Sequence, residues 1–182
     1  MSETLSKDIL YIQNSVPELE TFLLSNDVIR HLPDISLSAG GVMLAQKRLQ
    51  SASMDGDVAG SLDQIDQIRS HWKVAWANKC QQEARMRMRL WGDFILGLAH
   101  DGNEPSSAYR HQVRNRVIVQ LIEDDHPDRV EEYAESIQRK DKLLVKYSAD
   151  NDFIWEPELR EGFPKDKFWY LYRVMRYEKA DK

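Results

Sequence analysis

Residues 61–100 read SLDQIDQIRSHWKVAWANKCQQEARMRMRLWGDFILGLAH, and this stretch decides the fold. Apolar or small side chains recur at Ile65, Ile68, Trp72, Trp76, Cys80, Ala84, Met88, Trp91, Ile95 and Leu98. Steps of three and four residues follow a helical period and exclude a strand. Ser61-Leu62-Asp63-Gln64 is a capping signal at the start, and no proline follows before Pro105. One helix over this whole stretch would span roughly 57 Å at 1.5 Å per residue. A compact chain of this size has a diameter nearer ~35 Å. The helix therefore either breaks, with Gly92 the expected place, or projects and is covered by a second copy.

The flanking segments carry the same period. A first helix is expected over 2–13, and Ser15-Val16-Pro17-Glu18 reads as the capping box of a short second helix over 17–24. Asn26 to Ile35, with His31 and Pro33, is a connector, and a third helix is expected over 38–50. Tyr109, Val113, Val117 and Leu121 mark a helix over 106–123. Val130, Tyr133, Ile137 and Leu144 mark another over 127–147, with Pro127 suited to its first turn. The expected fold is all-α: an up-and-down bundle of five or six helices around one long central helix, in a single domain over 1–182. Residues 1–150 form the bundle.

Residues 151–182 differ. Phe153, Trp155, Phe163, Phe168, Trp169, Tyr170, Tyr172 and Tyr177 place 8 of 17 aromatics in this tail. Pro157 and Pro164 interrupt it, so an aromatic strap is expected, followed by a short helix from Lys165 to Arg176. Phe153-Ile154-Trp155-Glu156-Pro157-Glu158-Leu159 and Phe163-Pro164-Lys165-Asp166, together with Ala39-Gly40-Gly41-Val42 opening a helix, resemble uncharacterised all-helical bacterial proteins. That resemblance implies an all-α fold and supplies no catalytic residue.

Composition removes several chemistries. The 182 residues carry 25 Lys+Arg against 30 Asp+Glu, a net charge of -5 that disfavours a dedicated nucleic-acid binder. One cysteine excludes an intrachain disulfide and a zinc site of several thiolates. The opening residues have Glu3, Lys7 and Asp8 where a signal peptide needs apolar residues, and no run reaches the ~18 residues of a membrane span. A soluble cytoplasmic protein without membrane contact is the expectation, with no cofactor.

Candidate sites are sparse. Asp55-Gly56-Asp57-Val58-Ala59-Gly60-Ser61-Leu62-Asp63-Gln64-Ile65-Asp66 has the glycine and several oxygens of a calcium loop, with Asp55, Asp57, Asp63 and Asp66 as ligands. Ala59 and Asp66 depart from that pattern, and a Gly/Asp turn capped by Ser61 explains the same residues. Glu123 and His126 form the one Glu-x-x-His pair, where a carboxylate-bridged di-metal bundle needs two. Cys80 lies on the apolar stripe and reads as core, not nucleophile. Gly40-Gly41 serves either close helix packing or an anion at a helix start.

Charge is segregated along the chain. Residues 69–116 hold nine Lys/Arg and four acids, a surplus of +5, while the remainder carries -10. Arg85 and Arg89 are one turn apart, as are Arg110 and Arg114. These ridges either pair internally with the acidic helix starts or, with His111, form a site for an acidic protein, a small anion or, least expected, nucleic acid. The leading expectation is a non-catalytic interaction or scaffold protein that self-associates as a homo-oligomer. Trp72, Trp76, Trp91, Trp155, Phe168 and Trp169 are its candidate assembly residues, though each is equally a core residue. The first alternative is an anionic-ligand or nucleic-acid binder using Arg85, Arg89, Arg110, His111 and Arg114. The second is an enzyme acting on an anionic metabolite.

Overall fold

The computed structural model describes residues 2–101 and 106–176. The chain is an all-α helical bundle carrying two small antiparallel sheets. Helix α1 spans Glu3–Leu23, capped by the Ser2 hydroxyl, which accepts from the Leu5 amide. A two-strand ribbon follows, β1 (Arg30–His31) against β2 (Ser36–Leu37). Helix α2 (Ala39–Ser51), α3 (Ala59–His71), α4 (Lys73–Asp101), α5 (Ser106–Asp125) and α6 (Ala134–Tyr147) complete the bundle. β3 (Ser148–Asp150) pairs with β4 (Arg173–Met175), so the end of the strap returns to the end of α6. Tyr177 and residues 102–105 lie outside the described residues.

Helices α1, α2, α5, α4 and α6 neighbour one another in that order, with α3 against α1 and the strap against α2. One continuous core runs through them, from Ile12 and Phe22 through Leu49 and Ile118 to Trp91, Phe163 and Phe168. No helix among the described residues is long and apolar enough to cross a membrane.

The long helix does break, but at Trp72 and not at Gly92. The stripe itself supplies the reason. From Ile68 to Met88 it advances in five successive steps of four, which carries it about 200° around a straight 3.6-residue helix. No single straight helix buries such a stripe against one partner. The chain turns at Trp72, so α3 packs on α1 while α4 packs on α5. Helix α4 is then 29 residues long, and Trp76, Met88, Trp91, Ile95 and Leu98 are all buried within this chain. Its length therefore requires no second copy to cover it. Gly92 serves a different end, since a Cβ there would run into the Lys140 side chain of α6.

Three other boundaries differ. Glu3–Leu23 form one helix, with Pro17 exposed inside it and the Ser15 hydroxyl donating back to the Tyr11 carbonyl at 2.6 Å instead of capping a new helix. Ile12, Leu19 and Phe22 are fully buried along a single face, and their burial outweighs the one backbone bond that Pro17 forgoes. Residues 127–133 form two tight 3-10 turns that tuck Val130 into the core before α6 begins. The expected terminal helix is a 3-10 turn, Trp169–Tyr172, leading into β4. Tyr170, Leu171 and Tyr172 are buried in succession, which a one-sided helix does not permit.

Candidate functional site

Three helices and the strap enclose a cleft of about 1000 Å³. Helix α1 contributes Lys7, Asp8 and Tyr11, and α5 contributes Arg110, His111 and Arg114. In both triplets the first and third residues are four apart, which puts them on one helix face. Arg48 enters from α2, and Trp155 and Glu156 from the strap. The Trp155 indole N–H donates to the Arg110 carbonyl at 3.2 Å, which holds the strap against α5.

Three of the cations on this wall have a carboxylate. Lys7 meets Glu3 at 2.6 Å, in solvent. Arg110 meets Glu156 at 3.3 Å, and Glu156 also accepts from the Thr4 hydroxyl at 3.0 Å. Burial pushes the Glu156 carboxyl up, but these hydrogen bonds with the Arg110 and Arg48 charges outweigh it and hold it below the usual range. Arg48 stacks 4.5 Å over the Trp155 ring and places its Nη1 3.7 Å from Asp8 Oδ1. Burial raises the Asp8 carboxyl to about 6, against the opposing pull of Arg48 and Arg114.

Arg114 differs. It forms no ion pair among the described residues, and its buried Nε has no hydrogen-bond partner there. Burial and then the neighbouring Arg87 charge weaken its hold on its proton. Behind it lies a closed network. Glu83, with 0% exposure, accepts from Ser38 Oγ at 2.9 Å, the Gly40 amide at 2.7 Å and Arg87 at 2.9 Å. Arg87 also donates to Asn115 Oδ1 at 3.0 Å. Glu83 thus satisfies Arg87 and the start of α2, and nothing in the network is left for Arg114. Beneath the cleft, the Tyr11 hydroxyl accepts from the Ser38 amide and donates to the Ser36 carbonyl, and burial pushes it up to about 12.

The basic residues singled out in the sequence divide between two places. Arg110, His111 and Arg114 come together in the cleft. Arg85 and Arg89 do not line it, so the two ridges do not share this site. Arg85 donates to the Tyr133 hydroxyl at 2.9 Å and approaches Glu132, and Arg89 is exposed on α4. Internal pairing is realised elsewhere: Arg69 meets Asp125 at 2.7 Å, and Arg116 meets Asp141 at 3.1 Å. Lys7, Asp8, Arg48 and Glu156 escaped the sequence reading because each joins the site across a long stretch of chain.

No family model, curated protein or solved structure matches the chain.

The remaining candidates are dispersed. Trp76, Trp91, Trp155 and Phe168 lie in the core of the single chain, while Trp72 and Trp169 are partly exposed. Asp55 and Asp57 lie in a 3-10 turn, whereas Asp63 and Asp66 lie inside α3, exposed. Helix α3 begins at Ala59, so the twelve residues do not form one loop, and the described residues contain no cluster of three or more His, Cys, Asp or Glu suited to a metal. Cys80 is buried and its thiol is pushed up by burial, as a core residue's would be. At Gly40 the helix start does hold an anion, and that anion is the chain's own Glu83.

Proposed function

We propose that the protein binds a small anionic ligand in the cleft between α1, α2, α5 and the strap, with Arg114 as its anchoring cation. The observation that carries this reading is the half-buried Arg114 side chain on the cleft wall, which makes no ion pair among the described residues. An incoming anion supplies the charge-assisted hydrogen bonds that Arg114 lacks. Arg48 and Arg110 flank it, each already partly neutralised, so one negative group balances the wall. The reading is tested by calorimetric titration with inorganic phosphate and citrate at low ionic strength. Binding in the wild type that falls at least about tenfold in Arg114→Gln supports it, a loss near 1.4 kcal/mol. Equal binding to both proteins, or none, overturns it.

Self-association is a second reading, supported by a different observation. Val74, Leu90 and Leu96 are exposed on α4, and the edges of Trp72 and Trp169 reach solvent. Large apolar residues on the outside of a helix are candidates for a helix-on-helix contact between copies. A dimer in light scattering that dissociates in Leu96→Glu supports this reading; a monomer at micromolar concentration ends it.

A further inference from the structure

A second cavity, of about 380 Å³, opens to solvent beside the cleft. Ser107, Arg110 and Trp155 line both. His111 and Arg114 line only the cleft and Tyr109 only the second cavity, so α5 runs from one to the other. Their chemistry differs. Beyond the shared residues, the second cavity is walled mainly by Tyr109, Phe153, Ile154 and Val174, the last three partly exposed. Its own charged residue, Arg173, is already held by Asp150 at 2.7 Å and by the Ser148 hydroxyl at 2.6 Å. The cleft, by contrast, carries four Lys or Arg against three carboxylates, one positive charge in surplus. Arg110 stands where the two meet, with 51% of its side chain exposed and within reach of a ligand.

Resting on the anion-binding reading above, we infer that the ligand is an apolar monoanion: its acidic group meets Arg110 and Arg114 in the cleft, and its hydrocarbon part fills the second cavity. The class is an aryl or alkyl carboxylate. Arg110 and Arg114 are one helical turn apart, ~6 Å along the axis of α5. A carboxylate held at Arg110 therefore has its hydrocarbon beside residues that line both cavities. A polyanion fits poorly, because the surplus is a single charge and Asp8, Asp34 and Glu156 stand on the same wall. A neutral hydrocarbon leaves that surplus unbalanced. The second cavity has the volume of a small-molecule site and takes a phenyl ring or a chain of several carbons.

Calorimetric titrations of the full chain with 3-phenylpropionate, octanoate, acetate, citrate, 3-phenylpropanol and inorganic phosphate separate these cases. 3-Phenylpropionate or octanoate is expected to bind at least about tenfold more tightly than acetate, which has the carboxylate without the hydrocarbon. The tighter of the two distinguishes a ring from a chain as the occupant. Phosphate should compete with it, and the alcohol should bind at least about tenfold less tightly than its acid. Val174→Trp puts bulk into the second cavity alone. It should reduce the preference over acetate to within about threefold and leave phosphate binding unchanged. Acetate or citrate binding as tightly as both apolar acids, the alcohol matching its acid, or a preference that survives Val174→Trp overturns the inference. If Val174→Trp loses phosphate binding as well, Ile154→Ala decides in its place, because it removes apolar wall and adds no bulk. A preference that then falls by less than about threefold overturns the inference. Phosphate binding that still depends on Arg114 leaves the anion reading standing in each of these events, whereas failure of every probe to bind overturns both.

Discussion

Asp8 and Glu83 are both buried carboxylates, and their surroundings give them opposite consequences. Glu83 accepts hydrogen bonds from three residues, and Asp8 has one long contact to Arg48 and one orphaned oxygen. For Asp8 the folded protein binds a proton more tightly than the unfolded chain, at about 6 against 3.8. Its contribution to stability is complete below pH 3.8 and is lost as the pH rises through 6. Arg48 from α2, Arg114 from α5 and Glu156 from the strap face it and set that balance. Asp8→Asn should therefore stabilise the protein at pH 7 by roughly 1–3 kcal/mol and flatten the pH dependence between 4 and 6, read by thermal melts across that range. Glu83→Gln is expected to act in the other direction. It leaves Arg87 without its carboxylate and should cost about 3–5 kcal/mol in chemical denaturation. Arg110, His111 and Arg114 were legible in the sequence because one helix turn brings them together. Asp8 and Arg48 were not, because residues 40 apart meet only once α1 lies on α2.

Helical period was legible wherever one face is buried, so α2 and α5 fall close to their expected limits. Breaks were harder to read, because Trp72 continues the apolar stripe across the turn between α3 and α4. Pro17 misled in the opposite sense, since its local signal is strong and its tertiary surroundings override it. Proline inside a helix forgoes a backbone bond and is about 3 kcal/mol less favourable than alanine. Pro17 is exposed, so Pro17→Ala changes little besides that bond. It should stabilise α1 and raise the melting temperature by roughly 6–12 °C, given about 2–4 °C per kcal/mol for a chain of this size. A melting temperature that is unchanged or lower would show that the chain around Pro17 is not helical.

Across the whole molecule, the segregated charge seen along the chain is folded back on itself. Arg69, Arg110 and Arg116 from the basic middle meet Asp125, Glu156 and Asp141 from the acidic remainder. Arg114 is the cation on the cleft wall that this matching omits. The strap completes both the core and the cleft, through Trp155 on Arg48 and Glu156 on Arg110. Trp155→Ala should cost about 3–5 kcal/mol and weaken phosphate binding at the same time, read by denaturation and titration of one sample. The aromatic density of the tail was legible as docking, while its 3-10 and strand geometry was not, because pairing with β3 lies outside its local sequence. The tie between Glu83 and the Gly40 amide has a kinetic consequence. Helix α2 cannot have its first turn secured until α4 is in place, although 43 residues separate the two. Hydrogen exchange at the Gly40 amide should therefore report opening of the whole bundle instead of fraying of a helix end, and should be among the slowest in the protein.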